Sequence, residues 1–129
     1  MNGSQGNGSP PSLDGWLSEI KAATGGDGVG IFLMHNGVVR ATSKANGLDV
    51  AGMEISYDRE ILAEAVAEAE AMPGVAGVRV WINEGRLAVG DDMVYALVAG
   101  DVRTNVLPAW TNLVKTMREK VYLKREVLA

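Results

Sequence analysis

The stretch VAGMEISYDREILAEAVAEAEAMPG, residues 50–74, holds two periodicities that meet at one residue. Up to Tyr57 the pattern alternates. Met53, Ile55 and Tyr57 fall on one face and Glu54 and Ser56 on the other, which predicts a half-buried strand over Val50 to Tyr57. Beyond Asp58 the apolar repeat lengthens to three and four residues. Ile61, Leu62, Ala65, Ala69 and Met72 share one side, predicting a helix through Met72 with Asp58 as its N-cap and Pro73-Gly74 as its stop. Glu60, Glu64 and Glu68 recur every four residues on the other side. Like charges at that spacing repel, so they read as a solvated face and not as an acidic site.

Downstream, Val75 to Ile82 alternates with Val78, Val80 and Ile82 inward, and Asp92 to Ala99 is almost wholly apolar, as a central strand would be. Gly85 to Asp91 (GRLAVGD) reads as a turn-rich connection between them. A last helix is predicted from near Asn105, with Pro108 in its first turn and Trp110, Leu113, Val114, Met117 and Val121 as its apolar stripe. Upstream, Val29 to Met34 is a short apolar run suited to a buried strand. Asn36-Gly37 signals a tight turn, Val38 to Ala41 a returning strand, and Thr42 to Leu48 a polar loop. Leu13 to Ala23 places Leu13, Trp16, Leu17 and Ile20 on one helical face before the glycines of residues 24–28. Residues 1–12 have almost nothing to bury and read as a flexible Gly/Ser/Pro tail, leaving residues 13–129 as one domain. Two long helices among strands that do not strictly alternate with them predict an α+β fold with mixed or antiparallel strands.

At 129 residues, 47% apolar and 22% charged, the composition is that of a soluble globular protein with one core. A net charge of −4 argues against a general nucleic-acid binder. There is no cysteine, which removes thiol nucleophiles, disulfides and cysteine metal sites; one histidine, His35, is too few for a transition-metal site. No cofactor is expected. No charged and apolar leader opens the chain and no apolar run nears the ~20 residues of a membrane span, so a cytoplasmic location is expected. Gly25 to Gly30 (GGDGVG) lacks the Gly-Lys-Ser/Thr of a phosphate loop and precedes a strand instead of a helix.

Five segments in order resemble one family, the large (catalytic) subunit of molybdopterin synthase, MoaE-like proteins. Gly37-Val38-Val39-Arg40 resembles its G-x-V-R segment and Met53 to Ala63 its strand-to-helix passage. Gly85-Arg86-Leu87 with Val89-Gly90-Asp91 is similar to its G-x-L-x-x-G-[DE] connection. Arg103 stands where a His-Arg pair opens the last helix, and Lys124-Arg125-Glu126 is similar to its terminal K-[KR]-E. The resemblance implies a homodimer, joined into a heterotetramer with a small ubiquitin-like sulfur-carrier subunit. It further implies transfer of sulfur from the carrier's thiocarboxylated Gly-Gly tail to cyclic pyranopterin monophosphate, forming molybdopterin.

Such chemistry needs guanidinium forks for a phosphate and a carboxylate-like tail, and a lysine whose amine can act as acid, base or nucleophile. The resemblance assigns Arg40 and Arg103 to the anion pocket, with Lys124 and Arg125 adding charge and His35 nearby. Lys115 to Glu126 carries five basic and two acidic residues, a local +3 in an acidic chain. The family's essential lysine precedes the signature lysine by seven residues, which here falls on Met117, a residue of the apolar stripe. Lys115, Lys120 and Lys124 are therefore the candidate catalytic lysines. Val102 replaces the histidine of the His-Arg pair, Leu123 the aromatic before the signature lysine, and Val121 the proline two before that aromatic. Three functions follow: a sulfur-transferring synthase subunit with a relocated lysine, a catalytically silent relative that binds the carrier tail or an anionic ligand, and a related sulfur-transfer enzyme with another substrate.

Overall fold

The computed structural model describes residues 9–25 and 27–129. Most of the expected N-terminal tail, and Gly26 of the GGDGVG stretch, lie outside the described residues. In chain order the elements are α1 (Leu13–Ala23), β1 (Ile31–Val38), β2 (Val50–Tyr57), α2 (Arg59–Glu70), β3 (Val75–Ile82), β4 (Gly85–Ala88), β5 (Asp92–Gly100) and α3 (Arg103–Thr116). A wider, π-type turn (Met117–Val121) then leads into β6 (Tyr122–Leu128). The strands form two antiparallel sheets, ordered β1-β5-β3 and β4-β2-β6. The architecture is the α+β one that the order of patterns predicts.

Burial on both faces explains why β5 has no polar side. Val94, Ala96 and Val98 enter the main core with Ile55 of β2, Leu87 of β4, Ala65 and Ala69 of α2, and Leu113 of α3. Tyr95, Leu97 and Ala99 point the other way, into a second cluster with Trp16 and Ile20 of α1. Each fully buried Val or Leu contributes about 2 kcal/mol. The strand-to-helix junction forms as its pattern predicts: Asp58 Oδ1 accepts from the Ile61 amide at 2.9 Å. Helix α2 ends at Glu70, and Gly74 behind it has a φ of 81°, where a Cβ would meet Asp101 Oδ1 and Asn105 Nδ2, both at 2.5 Å.

Five features depart from the sequence pattern. Asn36-Gly37 does not turn; β1 runs through it against β5, with a register shift only after Gly37. The Asn36 side chain donates from Nδ2 across to Asp92 Oδ1 (3.1 Å) and the Val94 carbonyl (3.3 Å). A Cβ on Gly37 would come within 2.8 Å of Val94 Cγ1, so this glycine serves a close strand contact. No returning strand forms over Val38 to Ala41; Val39 instead bonds its amide to the Asp91 carbonyl at 3.0 Å. Part of the expected Gly85–Asp91 connection is strand, because Arg86 and Leu87 pair with Glu54 and Met53. Helix α3 starts at Arg103, ahead of Asn105: Asp101 accepts from the Val102 amide at 2.6 Å and the Asn105 side chain at 2.9 Å, anchoring the first turn from outside it. Lastly, Lys124-Arg125-Glu126 lies in β6, paired along β2.

Candidate active site

Strand β6 decides which of its charges meet. Ile55 pairs with Lys124 and Met53 with Glu126, while Glu54 between them pairs with Arg125. Successive side chains point to opposite faces, so Lys124 and Glu126 share the inner side with Met53. That inner side closes one wall of a pocket of about 420 Å³, whose other walls are Val38, Arg40, Lys44 and Met93. Three cations and one carboxylate therefore line one cavity.

The segment carrying Lys44 is held by a short network. Ser43, only 3% exposed, donates from Oγ to Glu126 Oε1 at 2.8 Å and takes the Ala45 amide at 3.3 Å. Its own amide bonds the Leu48 carbonyl at 2.7 Å, and Thr42 bridges Asp49 across the base of the loop. The loop following Arg40 is thereby fastened to β6 through a buried hydroxyl.

The Lys124 amine lies 4.9 Å from the centre of the Tyr122 ring. Its side chain remains exposed overall, but lost hydration lowers its pKa from the ordinary 10.5, as do the charges of Lys44 and Arg118; Glu126 opposes them weakly. More of this amine is neutral near pH 7 than in a free lysine. His35, on β1, is half-buried, and its pKa is lowered from 6.5 first by that burial and then by the Lys124 charge. Its ring meets Trp110 of α3 edge-on at 6.3 Å. The Trp110 Nε1–H is buried with no hydrogen-bond partner among the described residues. Burial pushes the Tyr122 hydroxyl pKa up, so it stays protonated.

The structure brings together Arg40, Lys124 and, at one remove, His35. Arg103 is exposed at the opposite end of β5 from Met93, on the order of 25 Å away at about 3.4 Å per residue. Arg125 falls outside the pocket, because strand alternation turns it to the outer face; there it pairs with Glu54, which Arg86 also approaches at 3.8 Å. Lys115 on α3 and Lys120 in the π-type turn are exposed and do not line the pocket. Met117 is 1% exposed, inside the main core. Lys44, Arg118 and Glu126 are the charged residues that sequence reasoning did not assign individually. The period-two pattern of Tyr122, Lys124 and Glu126 was the available signal for Glu126; nothing local marks Lys44, which arrives through the Ser43 contact.

A guanidinium and two ammonium groups around one cavity suit a phosphate or carboxylate, and a partly dehydrated amine beside them can move a proton. No helix is long and apolar enough to cross a membrane, and no three metal-ligating side chains gather, both among the described residues.

Known proteins share this arrangement of elements. The MoaE protein of Burkholderia ambifaria, named for molybdopterin biosynthesis, superposes with a TM-score of 0.73 at 20% identity, covering 94% of this chain and 85% of that one. Molybdopterin synthase from Staphylococcus aureus gives 0.72 at 18%, covering 94% and 88%. A complex of subunits 1 and 2 of molybdopterin-converting factor from Helicobacter pylori gives 0.66 at 16%, covering 92% and 84%. At these identities the likeness establishes the fold. No curated protein matches in sequence. The family model described as MoaE protein matches residues 14–120, from α1 into the π-type turn and stopping before β6. With the greater part of its sequence inside that match, the chain belongs to the MoaE protein family.

Proposed function

We propose that the chain is the large subunit of a molybdopterin synthase, in which Arg40 binds the phosphate of cyclic pyranopterin monophosphate and Lys124 is the acid/base lysine of sulfur transfer. Membership of the MoaE family ties the chain to molybdenum cofactor biosynthesis. The observation that carries the finer reading is the pocket itself. Of the three candidate lysines, only Lys124 lines a cavity together with Arg40, and its amine has a lowered pKa. An amine whose pKa is lowered releases its proton more readily than a free lysine and can take it back. A small ubiquitin-like carrier supplies the sulfur from a C-terminal thiocarboxylate in this reading. The complex of two molybdopterin-converting factor subunits from Helicobacter pylori supports a partner of that kind. A cytoplasmic homodimer carrying one small subunit per protomer is part of the same proposal, as is residues 13–129 forming the functional domain.

One observation favours a second reading, a silent relative that binds the carrier tail or an anion without turnover. Met117, where the resemblance puts the family's essential lysine, is wholly inside the core. Reconstitution separates the two. The protein is mixed with a thiocarboxylated small carrier and cyclic pyranopterin monophosphate, and molybdopterin is read as its fluorescent oxidation product. Product that disappears in Lys124→Ala establishes the synthase reading; carrier binding without product establishes the silent one.

A further inference from the structure

The loop between β1 and β2 contributes a cation that the family resemblance does not assign. Lys44 lines the pocket with Arg40 and Lys124, and it belongs to a segment fastened by the buried Ser43 hydroxyl to Glu126 on β6. The Ser43–Glu126 bond joins residues far apart in sequence, so Lys44's position depends on β6 being in place. Without that bond the loop would still close at its base through Thr42 and Asp49, but its tip would be free of β6.

The charges also need a second cation beside Arg40. If Lys124 is to exchange a proton, it cannot serve throughout as a fixed positive partner. The cyclic phosphate diester carries one negative charge near neutral pH, and the carrier's carboxylate-like tail brings a second to the same cavity in this reading. Arg40 supplies one standing positive charge, and Lys44 is the other that the cavity offers. Glu126 sits on the same wall, but its Oε1 accepts from Ser43, which directs part of its charge away from an incoming anion.

We propose that Lys44 is a phosphate-binding residue of this pocket, delivered to it by the Ser43–Glu126 hydrogen bond. The proposal rests on the anion-pocket reading above and adds to it a residue and the device that positions it. Lys44 binds the phosphate directly; Ser43 is a positioning residue acting through it. Lys44 also keeps the neighbouring amine from holding its proton tightly, since its charge is among the causes lowering the Lys124 pKa.

Inorganic phosphate titrated into the full-length protein at low ionic strength, followed by amide chemical shifts, is the test. Lys44→Ala should weaken binding roughly tenfold, the scale of one charge-assisted hydrogen bond, and Lys44→Arg should retain most of it. Ser43→Ala should weaken binding by part of that factor. Combined with Lys44→Ala it should add nothing further, because both changes remove the same contact. A merely structural role for Ser43 would instead give additive losses and would overturn the positioning claim. The Lys124 amine should titrate at higher pH in Lys44→Ala than in the parent protein. If Lys44→Ala binds phosphate like the parent while Arg40→Ala does not, the Lys44 proposal is wrong and the pocket assignment stands. If the parent protein binds no phosphate, both are wrong. Lys44 is on the surface, so circular dichroism of its variants should match the parent.

Discussion

Lys124 differs from Lys115 and Lys120 through its neighbours and not its own chemistry. Tyr122 lies beneath its amine, Lys44 and Arg118 repel its proton, and Arg40 shares its cavity. In the reconstituted reaction, Lys124→Ala should lower turnover by at least about 100-fold, the low end of a general acid/base contribution, whereas Lys115→Ala and Lys120→Ala should each stay within about twofold. Equal losses from all three would sink the assignment. His35 offers a test in pH. Its folded pKa lies below the 6.5 of the free side chain, so between those values the unfolded chain holds a proton that the folded one does not. Stability should therefore fall as pH drops through that window and level off beneath it. Urea midpoints between pH 5 and 8 should show a shallower decline for His35→Gln than for the parent. Resemblance and position singled out Arg40, Lys124 and His35, and the fold sets the first two on one cavity. Arg125 does not line the cavity that holds Arg40, because the spacing of a motif does not say whether its residues alternate across a strand.

At the scale of elements, periodicity was informative wherever one period ran long enough. The Val50–Tyr57 strand, the Asp58 cap and the α3 stripe form as their spacing predicts. Asn36-Gly37 misled because the dipeptide also suits a close strand crossing, and which use prevails depends on Val94 and Asp92, far along the chain. Strand β4 was missed because its four residues are too few for a period to emerge. Strand β6 was hidden by charge: three successive ionic residues look solvated in any conformation, and only the pairing with β2 orders them. The junction of α3 and the π-type turn gives a direct prediction. Met117→Ala should cost about 3 kcal/mol in urea unfolding, as expected for a buried methionine truncated in a packed core. Met117→Lys should cost more than Met117→Ala, because an unpaired ammonium would replace the thioether inside the core. A Met117→Lys protein as stable as the parent, with raised turnover, would show that this helix can turn its lysine outward to the pocket.

Across the whole molecule, the sheet β1-β5-β3 separates two apolar clusters with different duties. The main core supports the strands around the pocket, while α1 covers the far face through Trp16 and Ile20. Trp16→Ala should thus lower stability by about 3 kcal/mol and leave the phosphate affinity of the folded protein unchanged. Loss of affinity in the folded variant would mean that the two faces of the sheet are coupled. Strand β6 reaches β2 across most of the chain, whereas β3 and β5 are joined by the short β4 segment. Closing the longer loop carries the larger entropic cost, so the β3–β5 pairing can form before β6 docks. In time, then, the molecule should become compact before it becomes competent. During refolding, tryptophan burial should rise ahead of phosphate binding, and the interval between them is the waiting time for a terminal strand to find its partner.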